Sequence, residues 1–350
     1  MEKLADQIKA IKEGKNYYDK GFNNNSWGIT FDWFNNFRKS LEIPENKEKW
    51  SNVDTFVVIP IDAKNEIGLF ITLEQYSTCQ DLSSSKYGMV LFLNSKDDTN
   101  IAQRQVEEFQ NKYPNINIAF HFHNFTELEA SSIDIAKIRN VGYNFVSLLG
   151  RYYKKNSNNI VLIGVDADAI QVSKDYLSFH RELCLLKDNN DENLYTCVTS
   201  KWLWNLTGNI FYDFFLLNNQ INNQKNIPDI NGVPDKYPSE GMTSFPLNHH
   251  ELLLGLQTDA NKVSENYKLI EFAKTTKKLK KYSQETETIT NNRRAVDFIN
   301  KSTGDDILNL NRMWNKKGSW DQTGDEARKN NKGSPPQAAG YSLLKQNCLF

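Results

Sequence analysis

The sequence predicts an α/β protein whose central, mostly parallel sheet is flanked by helices. Three observations predict it. Four largely apolar runs, three of them unbroken, fall between residues 55 and 165, and an unbroken run is what a strand covered on both faces of a parallel sheet shows, whereas a half-exposed strand alternates. Stretches of helical periodicity separate the runs, which is the order of βαβ units. Apolar residues make up 39% of the 350 and charged ones 24%, so a sizeable core can form.

The elements follow in order. The first fifty residues read as helical: Leu4, Ile8 and Ile11 share a face, and Phe31, Phe34, Phe37 and Leu41 recur at three- and four-residue spacing. An Asn-rich break from Gly21 to Gly28 separates the two stretches. The aromatic stripe of Phe31, Trp33, Phe34 and Phe37 is expected to pack as core. The runs Phe56–Ile59, Met89–Leu93, Ile116–Phe122 and Ile160–Val165 read as strands. Helical patterns at Leu69–Tyr76, Ile101–Tyr113 and Ile133–Leu149 lie between them. Beyond residue 200, segments at Trp202–Leu217, Glu251–Leu256 and Tyr267–Lys281 look helical, around a Pro/Gly/Asn-rich stretch from Asn222 to Pro246. The expected division is a helical extension at 1–50 and an α/β domain at 51–300 with halves 51–170 and 171–300. A C-terminal extension or tail at 301–350 completes it.

Composition narrows function. Forty-two Lys and Arg against 43 Asp and Glu leave a net charge of −1, which gives no reason to expect a nucleic-acid or anionic-membrane partner. No apolar run reaches the roughly 18 residues that a membrane span needs. Met1 opens a charged stretch without the apolar region of a secretory leader. Cys79, Cys184, Cys197 and Cys348 include no CxxC pair, so reduced thiols rather than a zinc site are expected. A cytoplasmic protein is expected, free or peripheral to the inner face of a membrane.

The chemistry-bearing signal is Val161-Leu162-Ile163-Gly164-Val165-Asp166-Ala167-Asp168-Ala169. A buried strand ends in two carboxylates separated by one small residue. Ligands of parallel α/β sheets bind beyond the carboxyl ends of strands, and two hard oxygen donors at this spacing suit Mg²⁺ or Mn²⁺ shared with phosphates. The plainer alternative is a pair of Asp residues opening a turn and capping the next helix.

In order and spacing, Asp54 to Asp168 resembles the nucleotide-binding half of a family 2 glycosyltransferase of GT-A fold. The matching segments are Val57-Val58-Ile59-Pro60-Ile61-Asp62-Ala63-Lys64-Asn65-Glu66, Ile71-Thr72-Leu73-Glu74-Gln75-Tyr76, Ala136-Lys137-Ile138-Arg139-Asn140-Val141-Gly142 and Asp166-Ala167-Asp168 with Tyr176-Leu177. The resemblance implies a metal-dependent, inverting hexosyl transfer from a nucleoside-diphosphate sugar to an acceptor hydroxyl on a glycan, a lipid-linked sugar or a small molecule. It implies that Ile61, Asp62, Glu66, Asn94, Arg139, Asn140 and Asp166 face the donor, and that Asp166 and Asp168 hold Mn²⁺ or Mg²⁺. Asn94 stands where the family often has an acidic residue. His249 and His250 are candidates to complete the metal shell, as late histidines do in some GT-A enzymes. The base that takes the acceptor proton is matched by Glu265, in Ser264-Glu265-Asn266-Tyr267, with Asp259 as a second candidate. Thr290-Asn291-Asn292-Arg293-Arg294-Ala295 resembles a late S-x-R-R element of some bacterial members; an Arg pair can clamp phosphate bidentately, and a solvated charge pair is the plainer alternative.

Two other readings stand beside this one. A phosphatase of the haloacid dehalogenase type also uses D-x-D after a strand, but after its first strand; here three precede it. A non-catalytic sugar-nucleotide binder would accommodate Asn266 in place of the family's Asp.

Overall fold

A computed structural model describes residues 25–63, 66, 68–79, 82, 84–95, 101–124, 135–204, 230–232, 243–253, 269, 272 and 279–290. The chain divides into two compact units, Met1–Lys201 with Ile230–Thr288 and Trp202–Asp229 with Ile289–Phe350; nearly all described residues belong to the first. Helices α1 (Asn25–Ser40) and α2 (Pro44–Asn52) lead into β1 (Thr55–Asp62), α3 (Leu69–Ser77), β2 (Tyr87–Ser95) and α4 (Ile101–Lys112). Strand β3 (Asn117–Asn124), helix α5 (Ile135–Tyr152) and β4 (Val161–Gly164) follow. Next come β5 (Ala169–Val172), α6 (Tyr176–Leu185), β6 (Tyr195–Trp204), β7 (Ile230–Gly232), β8 (Thr243–Pro246), α7 (Leu247–Leu253) and β9 (Leu279–Thr290).

These strands form one nine-stranded sheet in the order β3-β2-β1-β4-β8-β6-β9-β5, with β7 paired to β9. Strands β3, β2, β1 and β4 run parallel. Strand β8 enters antiparallel to β4 and pairs antiparallel with β6. The expected mixed α/β architecture with a parallel first half is therefore present.

The continuous apolar runs have a simple physical cause. Successive side chains of a strand point to opposite faces, and both faces of β1 are covered. Val57, Ile59 and Ile61 join Leu73, Leu91, Phe109, Ile163 and Tyr176 in one buried cluster. Phe56 and Val58 join Trp33, Val90, Phe145, Leu149 and Leu162 in the other. Helix α5 approaches β1 closely at Gly142, where an added Cβ would lie 2.5 Å from Val58 Cγ1.

The aromatic stripe of α1 divides. Trp33 and Phe34 are buried and Phe37 is partly buried, with Trp33 stacked on Phe145 at 4.1 Å, whereas Phe31 faces solvent. Two sequence expectations change. Helix α1 starts at Asn25 and runs through Gly28 rather than breaking there. Residues 202–204 end β6 and 279–281 begin β9, so helical spacing in those segments gives way to sheet pairing, which periodicity over a few residues does not reveal. Leu269 and Phe272 are helical. Glu265, Asp259, Arg293, Arg294 and the 301–350 segment lie outside the described residues.

Candidate functional site

The chain runs from β1 outward to β2 and β3, then returns to place β4 on the other side of β1. Strand order thus reverses between β1 and β4, the position at which doubly wound sheets bind ligands beyond their carboxyl ends. The register pairs Val58 with Gly164, so β1 extends four residues past the end of β4. Asp166 and Asp168 leave the sheet at that step.

Instead of opening a helix, the carboxylate pair sits on a turn that runs directly into β5. The turn is anchored from α3. Thr72, buried, directs its hydroxyl at the carbonyl oxygens of Ala167 (2.8 Å) and Ala169 (2.9 Å). Cys79, two residues past the end of α3, directs its thiol at the Ser173 carbonyl at 3.6 Å. The backbone on either side of Asp168 is therefore fixed by a side chain that the sequence motif carries only as a Thr.

Arg139, near the start of α5, is 3% exposed, and its guanidinium donates to Oδ1 of Asp166, whose side chain is 40% exposed. A buried guanidinium is tolerable only against a carboxylate, so the pair neutralises the base of the turn, with the Asp166 side chain still 40% exposed. Asn140, the next residue, accepts a hydrogen bond from His250 Nε2 at 3.2 Å. The amide oxygen can only accept, which places the proton on Nε2 of His250. Tyr143, one turn farther along α5, packs edge-on against His250 at 5.3 Å. Its hydroxyl occupies the space beside Gly164, where any Cβ would lie 2.2 Å from it. His249, next to His250 on α7, donates from Nδ1 to the Thr196 carbonyl at 3.0 Å and packs on Phe272. The two adjacent histidines thus serve different partners. Among the described residues no group of three or more His, Cys, Asp or Glu stands together in a metal-binding arrangement.

The neighbouring strand ends carry the remaining expected residues. Asp62, Asn94 and His123 occupy paired positions across β1, β2 and β3. Asn94 donates its amide to the Ile61 carbonyl at 2.7 Å, and its own carbonyl accepts from Ala63 N at 2.8 Å. Its side-chain nitrogen is thus spent on shaping the β1 exit. Gln105 of α4, which sequence reasoning missed, shapes the rest of that exit: it accepts from Phe70 N at 2.9 Å and donates to the Glu66 carbonyl at 3.2 Å. His121 and His123, alternate residues of β3, share one of its faces and are partly buried. His121 stacks on Trp33 at 5.5 Å, and burial pushes its pKa down to about 4.

No protein-family model and no curated protein matches the sequence. Among solved structures, the chain is similar to a mannosyltransferase from Pyrobaculum calidifontis in complex with GDP-Man and Mn²⁺, at 12% identity and a TM-score of 0.46, covering 98% of this chain and 80% of that one. It is similar to GalNAc-T7 with UDP, GalNAc and Mn²⁺ at 12% identity and a TM-score of 0.39, covering 69% of this chain and 44% of that one. Mouse xyloside xylosyltransferase 1 in its apo form aligns at 9% identity and a TM-score of 0.28, over 65% of this chain and 76% of that one.

Proposed function

We propose that this protein is a GT-A-type glycosyltransferase that uses a divalent cation and a nucleoside-diphosphate sugar, and that transfer to the acceptor hydroxyl inverts the anomeric centre. One observation carries this reading: a turn bearing two carboxylates, anchored by Thr72 and backed by Arg139, stands where the strand order reverses. The donor set fits Mn²⁺ or Mg²⁺, because two carboxylates suffice when phosphate oxygens supply further ligands. Such a cation would neutralise charge on the leaving diphosphate.

The chain's own residues do the rest. Asp166 offers Oδ2 while Arg139 holds Oδ1, and Asp168 offers its carboxylate from the anchored turn. Arg139 limits the negative charge that a diphosphate meets there. Ile61, Asp62 and Glu66 with Asn94 form the β1 and β2 exits against which the nucleoside would lie, and Asn140, held by His250, backs the same edge. Proton removal from the acceptor is assigned to Glu265, with Asp259 as the alternative. Phosphatase chemistry with Asp166 as nucleophile suits this site less well, since Asp166 is committed to a buried guanidinium.

Asp168→Ala is expected to abolish Mn²⁺-dependent binding of GDP and UDP with the fold intact, because a half-exposed turn carboxylate leaves no core cavity. Calorimetric titration with and without Mn²⁺ reads this directly. Unchanged Mn²⁺-dependent affinity would overturn the assignment.

A further inference from the structure

Two tyrosines under this site have hydroxyls that their burial does not explain. Tyr76 on α3 and Tyr176 at the start of α6 are both 0% exposed, and both rings belong to the cluster that contains Ala167, Ala169 and Val172. Their centroids are 6.5 Å apart, and the Tyr176 ring also packs on His180 at 4.3 Å. Neither hydroxyl has a hydrogen-bond partner. Phe would supply the same ring at no polar cost, and a buried O–H without a partner is destabilising. Tyr76 lies one helical turn after Thr72, on the face that anchors the Asp166–Asp168 turn. Tyr176 follows β5, the strand into which that turn runs. Burial raises both phenols far above their usual range, and the charge of Asp166 adds to the rise in each. Both therefore remain neutral donors at any working pH.

We propose that Tyr76 and Tyr176 are positioning residues whose hydroxyls, held without a partner beneath the Asp166–Asp168 turn, become hydrogen-bond donors to that turn when its carboxylates take up a divalent cation. The inference rests on the reading of this turn as a cation site. A cation on the turn would re-aim its carboxylate oxygens, and a donor already ordered in the core would meet them with little further loss of freedom.

The test uses the full chain with Tyr76→Phe, Tyr176→Phe and, as a control, Tyr113→Phe, whose hydroxyl already donates to Glu74 at 3.0 Å. Mn²⁺ binding is measured alone and with GDP or UDP, and thermal midpoints are measured without ligand. The two core variants are expected to keep or raise the ligand-free midpoint and to bind Mn²⁺ about tenfold more weakly. The control is expected to bind as wild type does. Undiminished Mn²⁺ affinity in both core variants overturns the inference, as does a lowered ligand-free midpoint, which marks a purely structural hydroxyl. A wild-type protein that binds Mn²⁺ but neither nucleotide refutes the donor reading and leaves Mn²⁺ affinity alone to decide on the tyrosines. A wild-type protein that binds no Mn²⁺ overturns both.

Discussion

Thr72→Val isolates the anchoring of the carboxylate turn. Val keeps the β-branched shape and almost the volume of Thr, so packing is nearly conserved and only the hydroxyl is lost. That hydroxyl has one proton and two acceptors, the carbonyls of Ala167 at 2.8 Å and Ala169 at 2.9 Å, in a site with Thr72 1% exposed. The net worth of the shared bond itself is about 1 kcal/mol, and stranding a buried carbonyl raises the cost to about 1–3 kcal/mol. With a midpoint shift of about 2–4 °C per kcal/mol for a body of this size, a cost of about 2 kcal/mol corresponds to about 4–8 °C. Thermal unfolding monitored by circular dichroism reads the stability effect, and Mn²⁺ titration reads the turn. Affinity should fall along with stability, because the same carbonyls flank Asp168. A Val variant with the wild-type midpoint and wild-type Mn²⁺ affinity would refute the reasoning, and the Thr72 contacts would then be incidental to the site.

Gly142→Ala gains roughly 1 kcal/mol of helix propensity but forces a Cβ to 2.5 Å from Val58 Cγ1, an overpacking worth about 1–3 kcal/mol. Net destabilisation in urea is expected, with relief on adding Val58→Ala; a Gly142→Ala protein more stable than wild type would contradict it. His180 is buried between the Ser244 hydroxyl at 2.6 Å and the Ser200 hydroxyl at 2.5 Å, and burial pushes its pKa down to about 3. The unfolded chain binds a proton at this residue below about pH 6.5 and the folded one does not, so stability is full above that pH and falls on acidification toward pH 3. Near pH 5 the His180 share of the loss is about 2 kcal/mol. Urea unfolding at pH 7.5 and 5 should show it, and His180→Gln should flatten the difference; an equal pH dependence in the variant would refute the assignment. If Glu265 is the base, Glu265→Gln should lose about 10²–10⁴ in transfer rate while keeping nucleotide affinity, and transfer at the wild-type rate would remove it from that role.

How much was legible follows from how each feature is encoded. Strands β1, β2 and β4 were readable because both of their faces are buried, so an unbroken apolar run marks them whatever their neighbours are. Helix α5 was readable from its long apolar periodicity, and the carboxylate pair from its place after a strand. The segments after residue 200 were not, because β6 and β9 are held by pairing rather than by periodicity. Strand β8 is four residues long and takes its place by lying antiparallel to both β4 and β6. His249 and His250 read as a possible metal pair because adjacent residues look alike in sequence. On a helix, adjacent side chains point about 100° apart, so one reaches Thr196 and the other Asn140.

The sequence by itself determined the α/β class, the succession of the first four strands along the chain, the two-sided burial of β1 and the presence of two carboxylates at the end of β4. These depend on local hydrophobic patterns and on residue identities that any conformation of the chain carries. Only the tertiary structure decided that β4 lies beside β1 rather than β3, that a buried Arg139 meets Asp166, and that the Asn94 amide is turned to the Ile61 carbonyl. It also decided that the Thr72 hydroxyl reaches a carbonyl 95 residues away, and that two tyrosine hydroxyls lie buried without partners. The physical reason is that burial periodicity is written within a single element, whereas strand neighbours and hydrogen-bond partners depend on which distant segments the fold brings together.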